Sequence, residues 1–114
     1  MKTSSTGSDA AQVQLKKGAL ELCVLAMLSR RESYAYEISS TLADAVGMGE
    51  STIYPLMRRM AKDGFVASRL VETSSGPSRK YYTLTKAGWQ RLEEQKSDWR
   101  VFIAAVNGIL GESQ

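Results

Sequence analysis

The chain has 114 residues, 43% hydrophobic and 24% charged, which suits one globular domain. It holds no run of the roughly 18 apolar residues that a membrane-spanning helix needs. A single cysteine excludes an internal disulfide. The lack of histidine, of a metal-ligand cluster, of a glycine-rich phosphate loop and of a nucleophile–base pair argues against an enzyme and against a resident metal or cofactor.

The net charge is +3, and its placement is uneven. Residues 50–86 carry seven basic and three acidic residues, while residues 1–49 sum to zero and residues 87–114 to −1. A basic patch in the middle of the chain is what a polyanion-binding face requires.

The opening MKTSSTGSDA is polar and has no apolar signal-peptide core, so a cytoplasmic protein with a flexible tail over residues 1–12 is expected. A helix is predicted from Leu15 to Ser29. Leu15, Ala19, Leu22, Cys23, Ala26 and Met27 recur at helical spacing, and Leu20, Val24, Leu25 and Leu28 make it apolar nearly all round. Within it, Cys23 reads as a small buried hydrophobe; a redox role would need an exposed thiolate near positive charge.

After the polar turn Arg30–Ser33, a second helix is expected over about Tyr34–Ala45, with Ile38, Leu42 and Ala45 inward. Gly47 and Gly49 mark a turn. A third helix then runs from Glu50 or Ser51 to just before Gly64, a C′ residue, with Ile53, Leu56, Met57 and Met60 inward and Pro55 placed in its first turn. Two helices joined by a short glycine-bearing turn are the minimum of a helix-turn-helix. Phe65–Thr73 and Arg79–Leu84 read as strands flanking the loop Ser74–Ser78, a hairpin in the position of a wing. Tyr81 and Tyr82 fall on opposite faces of the second strand; which of them is core stays open.

Thr85 can cap a fourth helix reaching about Asn107 or Gly108. Trp89, Leu92, Lys96, Trp99, Ile103, Val106 and Leu110 alternate in steps of three and four, a heptad seam that suits dimerisation. Val101, Phe102, Ala105 and Ile109 add a second apolar surface. The expected fold is mainly α with a small β hairpin: a winged helix-turn-helix over residues 13–85, a long C-terminal dimerisation helix over 86–110, and a tail at 111–114.

Several segments, in order, resemble the short subfamily of PadR transcriptional regulators. They are Gly18-Ala19-Leu20-Glu21-Leu22, Tyr34-Ala35-Tyr36-Glu37-Ile38, Thr52-Ile53-Tyr54-Pro55-Leu56 through Asp63-Gly64, and Arg79-Lys80-Tyr81-Tyr82-Thr83-Leu84-Thr85 with Gly88. The likeness runs from Leu15 to about Leu110. Ala35 and Ser51 stand where that family often has glycine. The resemblance implies a winged helix-turn-helix, a homodimer built on the last helix, and repression of target promoters relieved by a small molecule.

In such a fold the third helix enters the major groove by its N-terminal end. Glu50, Ser51, Thr52 and Tyr54 are then the candidates near the bases, and the family pattern associates the tyrosine with DNA. Arg58, Arg59 and Lys62 suit phosphate contacts. In the wing, Ser75, Gly76 and Ser78 form the tip and Arg79 and Lys80 the base. The partner is double-stranded DNA carrying a pseudo-palindromic operator. Related regulators stack flat aromatic compounds between subunits on a matching tryptophan, which makes Trp99 the ligand candidate here, with Phe102, Leu15 and Val13 around it. The alternative function is a winged-helix module that recruits protein without touching DNA.

Overall fold

The computed structural model describes residues 5–112, with side chains from residue 18 onward. Four helices and three short strands follow in the order α1 (Ser5–Arg30), β1 (Ser33–Tyr34), α2 (Ala35–Val46), α3 (Glu50–Lys62), β2 (Val66–Val71), β3 (Arg79–Leu84) and α4 (Lys86–Leu110). Helix α1 begins ten residues before the predicted start at Leu15. Of the tail expected over residues 1–12, residues 1–4 lie outside the described residues.

The core is built from Leu20, Val24, Leu25 and Leu28 of α1, Ile38 and Leu42 of α2, and Ile53, Leu56, Met57 and Met60 of α3, closed by Met48, Val66, Tyr82 and Leu92. On α1 the stripe Ala19, Leu22, Cys23, Ala26 and Met27 is only half-buried, and the complementary set is innermost. The helix is apolar nearly all round because it packs against α4, β3 and α2 at once. Ala45, expected inward on α2, is exposed; Ser39 and the turn residue Met48 are buried instead.

Helix ends follow local chemistry. The Glu37 carboxylate accepts the Tyr34 N–H at 3.1 Å, filling an unpaired donor at the start of α2. Gly47 (φ 76°) ends α2 and Gly64 (φ 85°) follows α3, both in the left-handed region that glycine adopts without steric cost. Thr85 caps α4, its hydroxyl accepting the Gly88 N–H at 3.0 Å and donating to the Gly64 carbonyl at 2.7 Å. Pro55 sits in the second turn of α3, not the first, because the helix already begins at Glu50. It removes one ladder donor, so the Ser51 carbonyl has no intrahelical N–H to accept.

The hairpin acquires a third strand. The antiparallel sheet has the order β1-β3-β2, pairing Ser33 with Tyr82 on one side of β3 and Ser68 with Tyr82 on the other. The polar turn predicted at Arg30–Ser33 therefore ends in a sheet edge. Arg69 on β2 grips Glu32 bidentately, at 2.7 and 2.9 Å, across this sheet. Among the described residues no helix is long and apolar enough to cross a membrane.

Candidate nucleic-acid interface

Helix α3 buries Ile53, Leu56, Met57 and Met60, so its outward direction follows from the helical repeat of about 100° per residue. Ser51, Pro55, Arg58 and Lys62 lie along the middle of the outward face. Tyr54 lies on the shoulder toward the sheet, and Thr52 and Arg59 on the shoulder toward α1. Of the four residues read as near the bases, Ser51 and Glu50 are exposed at the helix start, whereas Thr52 and Tyr54 are half-buried. No side chain caps this helix; its cap residue, Gly49, gives its carbonyl to the Thr52 and Ile53 N–H groups.

Beside Tyr54 the surface falls into a depression of about 400 Å³ lined by Tyr34, Ala35, Tyr36, Tyr54, Arg79, Lys80 and Tyr82. Sequence reasoning assigned Tyr54, Arg79 and Lys80 to the site and missed Tyr34 and Tyr36. The exposed Tyr36 stacks on Tyr34 with ring centroids 6.4 Å apart, and Tyr34 in turn meets Tyr81 at 5.3 Å. The available signal was the pair of tyrosines two residues apart at a helix start, where one shields the other. Burial, then the Glu50 carboxylate and Tyr36, push the Tyr54 phenol above its ordinary pKa, so it stays a neutral hydroxyl donor. Tyr82 is the core member of the tyrosine pair and Tyr81 the half-buried one.

The cations divide into two groups. Arg58, Lys62, Arg79 and Lys80 are exposed and, among the described residues, have no carboxylate within salt-bridge distance. Arg79 is not directed toward the wing tip. Its guanidinium lies 4.5 Å over the Tyr34 ring, drawn by the negative face of the aromatic ring. Arg58 and Lys80 meet across a second hollow with Ala35, Tyr54 and Tyr82. Arg59 belongs to the other group, with Nη2 3.5 Å from Glu21 Oε1 on α1. At the wing, Ser75, Gly76 and Ser78 are all exposed, and the Thr73 hydroxyl donates to the Gly76 carbonyl at 2.8 Å.

The residues read as a seam on α4 stand in different surroundings. Leu92 is 2% exposed and belongs to the chain's own core, so it is not free to meet another chain. Its neighbour α1 covers that part of α4 first. Trp89, before Leu92, is exposed; beyond it, Lys96 is half-buried and paired with Glu93 at 3.4 Å, Ile103 and Val106 are half-buried, and Trp99 and Leu110 are exposed. Val101, Phe102 and Ile109 are exposed on other sides of the same helix. Trp99 lies beside α1 in a groove of about 330 Å³ with Leu22, Ala26, Ser29, Arg30, Leu92, Lys96 and Arg100. Phe102 is not among these lining residues, and the side chains of Leu15 and Val13 lie outside those described. Burial pushes the Cys23 thiol up, away from the lowered value a redox sensor would need.

Residues 24–94 match the family described as transcriptional regulator PadR-like. The chain is 29% identical over 86 residues to the negative transcriptional regulator PadR of Bacillus subtilis (strain 168); the match covers 72% of this chain and 45% of that protein. It thus spans less than half the length of that curated relative. Among solved structures, a PadR-like transcriptional regulator from Bacillus cereus strain ATCC 14579 is 39% identical with a TM-score of 0.78, covering 88% of this chain and 99% of that one. A PadR family transcriptional regulator from Eggerthella lenta DSM 2243 is 33% identical with a TM-score of 0.81, covering 93% and 94%.

Proposed function

Because the chain belongs to the PadR-like family of transcriptional regulators, we propose that it is a cytoplasmic, sequence-specific DNA-binding repressor, acting as a homodimer on a pseudo-palindromic operator and released by a small planar aromatic effector. The observation that carries this reading is the convergence of Arg58, Lys62, Arg79 and Lys80, unpaired among the described residues, on the exposed side of α3 and the hairpin. Cations already held by carboxylates cannot release counterions from DNA without first losing a partner; these four can.

The roles follow from position. Arg58, Lys62 and Lys80 neutralise phosphates, and the neutral hydroxyls of Tyr54 and Tyr36 donate to them. Ser51, through its hydroxyl and its N–H, and Thr52, through its hydroxyl, meet base edges or a phosphate at the start of α3. Glu50 repels phosphate, so the contact open to it is a cytosine amino group. The wing tip Ser75, Gly76 and Ser78 lies against the backbone. Arg59, held by Glu21, contributes less than the other cations.

Helix α4 supplies the dimer through Trp89, Lys96, Trp99, Ile103, Val106 and Leu110. Exposed apolar side chains at Val101, Phe102, Ile109 and Leu110, on the part of the helix past α1, support a second copy as the cover. Trp99, beside its groove, is the stacking surface for an effector, with Phe102 and Leu15 as further candidate residues of that site.

The test is a titration of the protein against a duplex from its own gene's upstream region, with scrambled duplex as competitor. Competitor-resistant binding is the expected result. The absence of binding to any duplex would favour the protein-recruiting module instead.

A further inference from the structure

Glu21 is the one carboxylate, among the described residues, shared by two other helices. Its Oε2 accepts from Arg91 Nε at 2.7 Å and from Gln95 Nε2 at 2.9 Å, both on α4, while Oε1 faces Arg59 Nη2 on α3 at 3.5 Å. The side chain is 16% exposed, so water competes little for it. Arg91 also lies 4.8 Å over the ring of Phe65, the residue that follows α3 and its Gly64 turn. The hydrogen bond that Arg91 donates to Glu21 holds the guanidinium further toward its charged form.

Helix α4 packs chiefly on α1 rather than on α3. A change in the angle of α4 reaches α3 through the shared core at Leu92, through the joint where Thr85 and Gly88 meet Gly64 and Phe65, and through the Glu21 carboxylate. The joint anchors the start of α4 at one point, the Thr85 N–H and hydroxyl bonding to the Phe65 and Gly64 carbonyls. The carboxylate joins two short bonds to α4, at 2.7 and 2.9 Å, with a longer contact of 3.5 Å to Arg59 on α3, an arm sensitive to small displacements. A neutral amide could accept from Arg91 and Gln95 through its oxygen, but its NH₂ would then face the Arg59 guanidinium donor to donor.

We propose that Glu21 is a positioning residue that fixes the angle between α3 and α4, and through it the half-site spacing that a pair of chains selects on DNA. This rests on the dimeric DNA-binding reading above. With the carboxylate in place the two recognition helices of a dimer are held at one separation. Without it, α4 pivots about the Thr85 joint and neighbouring separations become accessible. Arg59 is thereby a strut of the protein before it is a phosphate ligand.

The experiment selects bound duplexes from a randomised library with the full chain, and reads the spacing between paired half-sites by sequencing. Wild-type protein is expected to enrich one spacing. Glu21→Gln is expected to enrich the same half-site with the preference for the best spacing reduced about fivefold or more, a small coupling by the standards of linked sites. Gln95→Met, a partly exposed position on α4, should shift the distribution the same way to a lesser extent and serves if Glu21→Gln does not fold. A spacing preference that stays at the wild-type value in the folded variants overturns the proposal, even where thermal stability falls, because that is the signature of a merely structural ion pair. If wild-type protein itself enriches no paired half-sites, the dimeric DNA-binding reading fails and this role falls with it.

Discussion

Gly88, in the first turn of α4, lies so close to the backbone carbonyl of Phe65 that a methyl group there would overlap it, with the Leu84 side chain closing the other side. The same carbonyl accepts the Thr85 N–H at 3.2 Å, so it cannot swing away without breaking the strand-to-helix junction. Gly88→Ala is therefore expected to destabilise the fold by about 1–3 kcal/mol, the usual cost of overpacking a rigid site. Denaturant unfolding of the two proteins measures it. Equal midpoints would show that the junction is looser than described.

The four-helix order, the turn at Gly47 and Gly49, the Thr85 cap and the exact span of β3 were legible because each has a local signature: a 3.6-residue apolar period, a glycine, a hydroxyl before a helix, an aromatic-rich strand. What sequence could not convey was which neighbour reaches a face first. Leu92 reads as a seam residue by spacing, yet α1 covers it within the chain. Arg59 reads like Arg58 and Lys62, and only the fold brings Glu21, 38 residues earlier in the sequence, alongside it. Strand β1 is two residues long and exists by pairing with Tyr81 and Tyr82, so it carries no period of its own. Tyr34 and Tyr36 join the site for the same reason.

Burial raises the Cys23 thiol above its ordinary pKa, which fixes the sign of its effect on stability. The neutral thiol is favoured by the fold, so the contribution is whole below the unfolded thiol pKa. It is lost as pH rises through the raised folded value, because the unfolded chain gives up the proton first. Wild-type protein should lose stability relative to Cys23→Ala as pH climbs past the ordinary thiol range, and should react slowly with thiol reagents near neutrality. Rapid alkylation at neutral pH would contradict the placement.

Ile103 lies in the seam, half-buried, on the part of α4 that α1 does not cover. Ile103→Glu should leave the winged part folded by circular dichroism while the protein sediments as a monomer. Its affinity for a two-half-site duplex should fall by about a hundredfold or more as the avidity of paired binding is lost. A dimer of unchanged strength would move the interface elsewhere.

Trp99 is 43% exposed beside the α1–α4 groove. Flat aromatic compounds that release DNA should quench tryptophan fluorescence in the wild type, and Trp99→Leu protein that still binds DNA should show neither the quench nor the release. Retained release in that variant would place the effector elsewhere.

Whether the outward face of α3 carries the protein onto DNA is read from the salt dependence of binding by the wild type, Arg58→Ala, Lys62→Ala and Arg59→Ala. The logarithm of affinity should fall linearly with the logarithm of salt concentration. Arg58→Ala and Lys62→Ala should each flatten the slope by about one for every phosphate contact removed, and Arg59→Ala by less. If Arg58→Ala and Lys62→Ala keep the wild-type slope and affinity, α3 does not face DNA as described and the account is wrong at its centre.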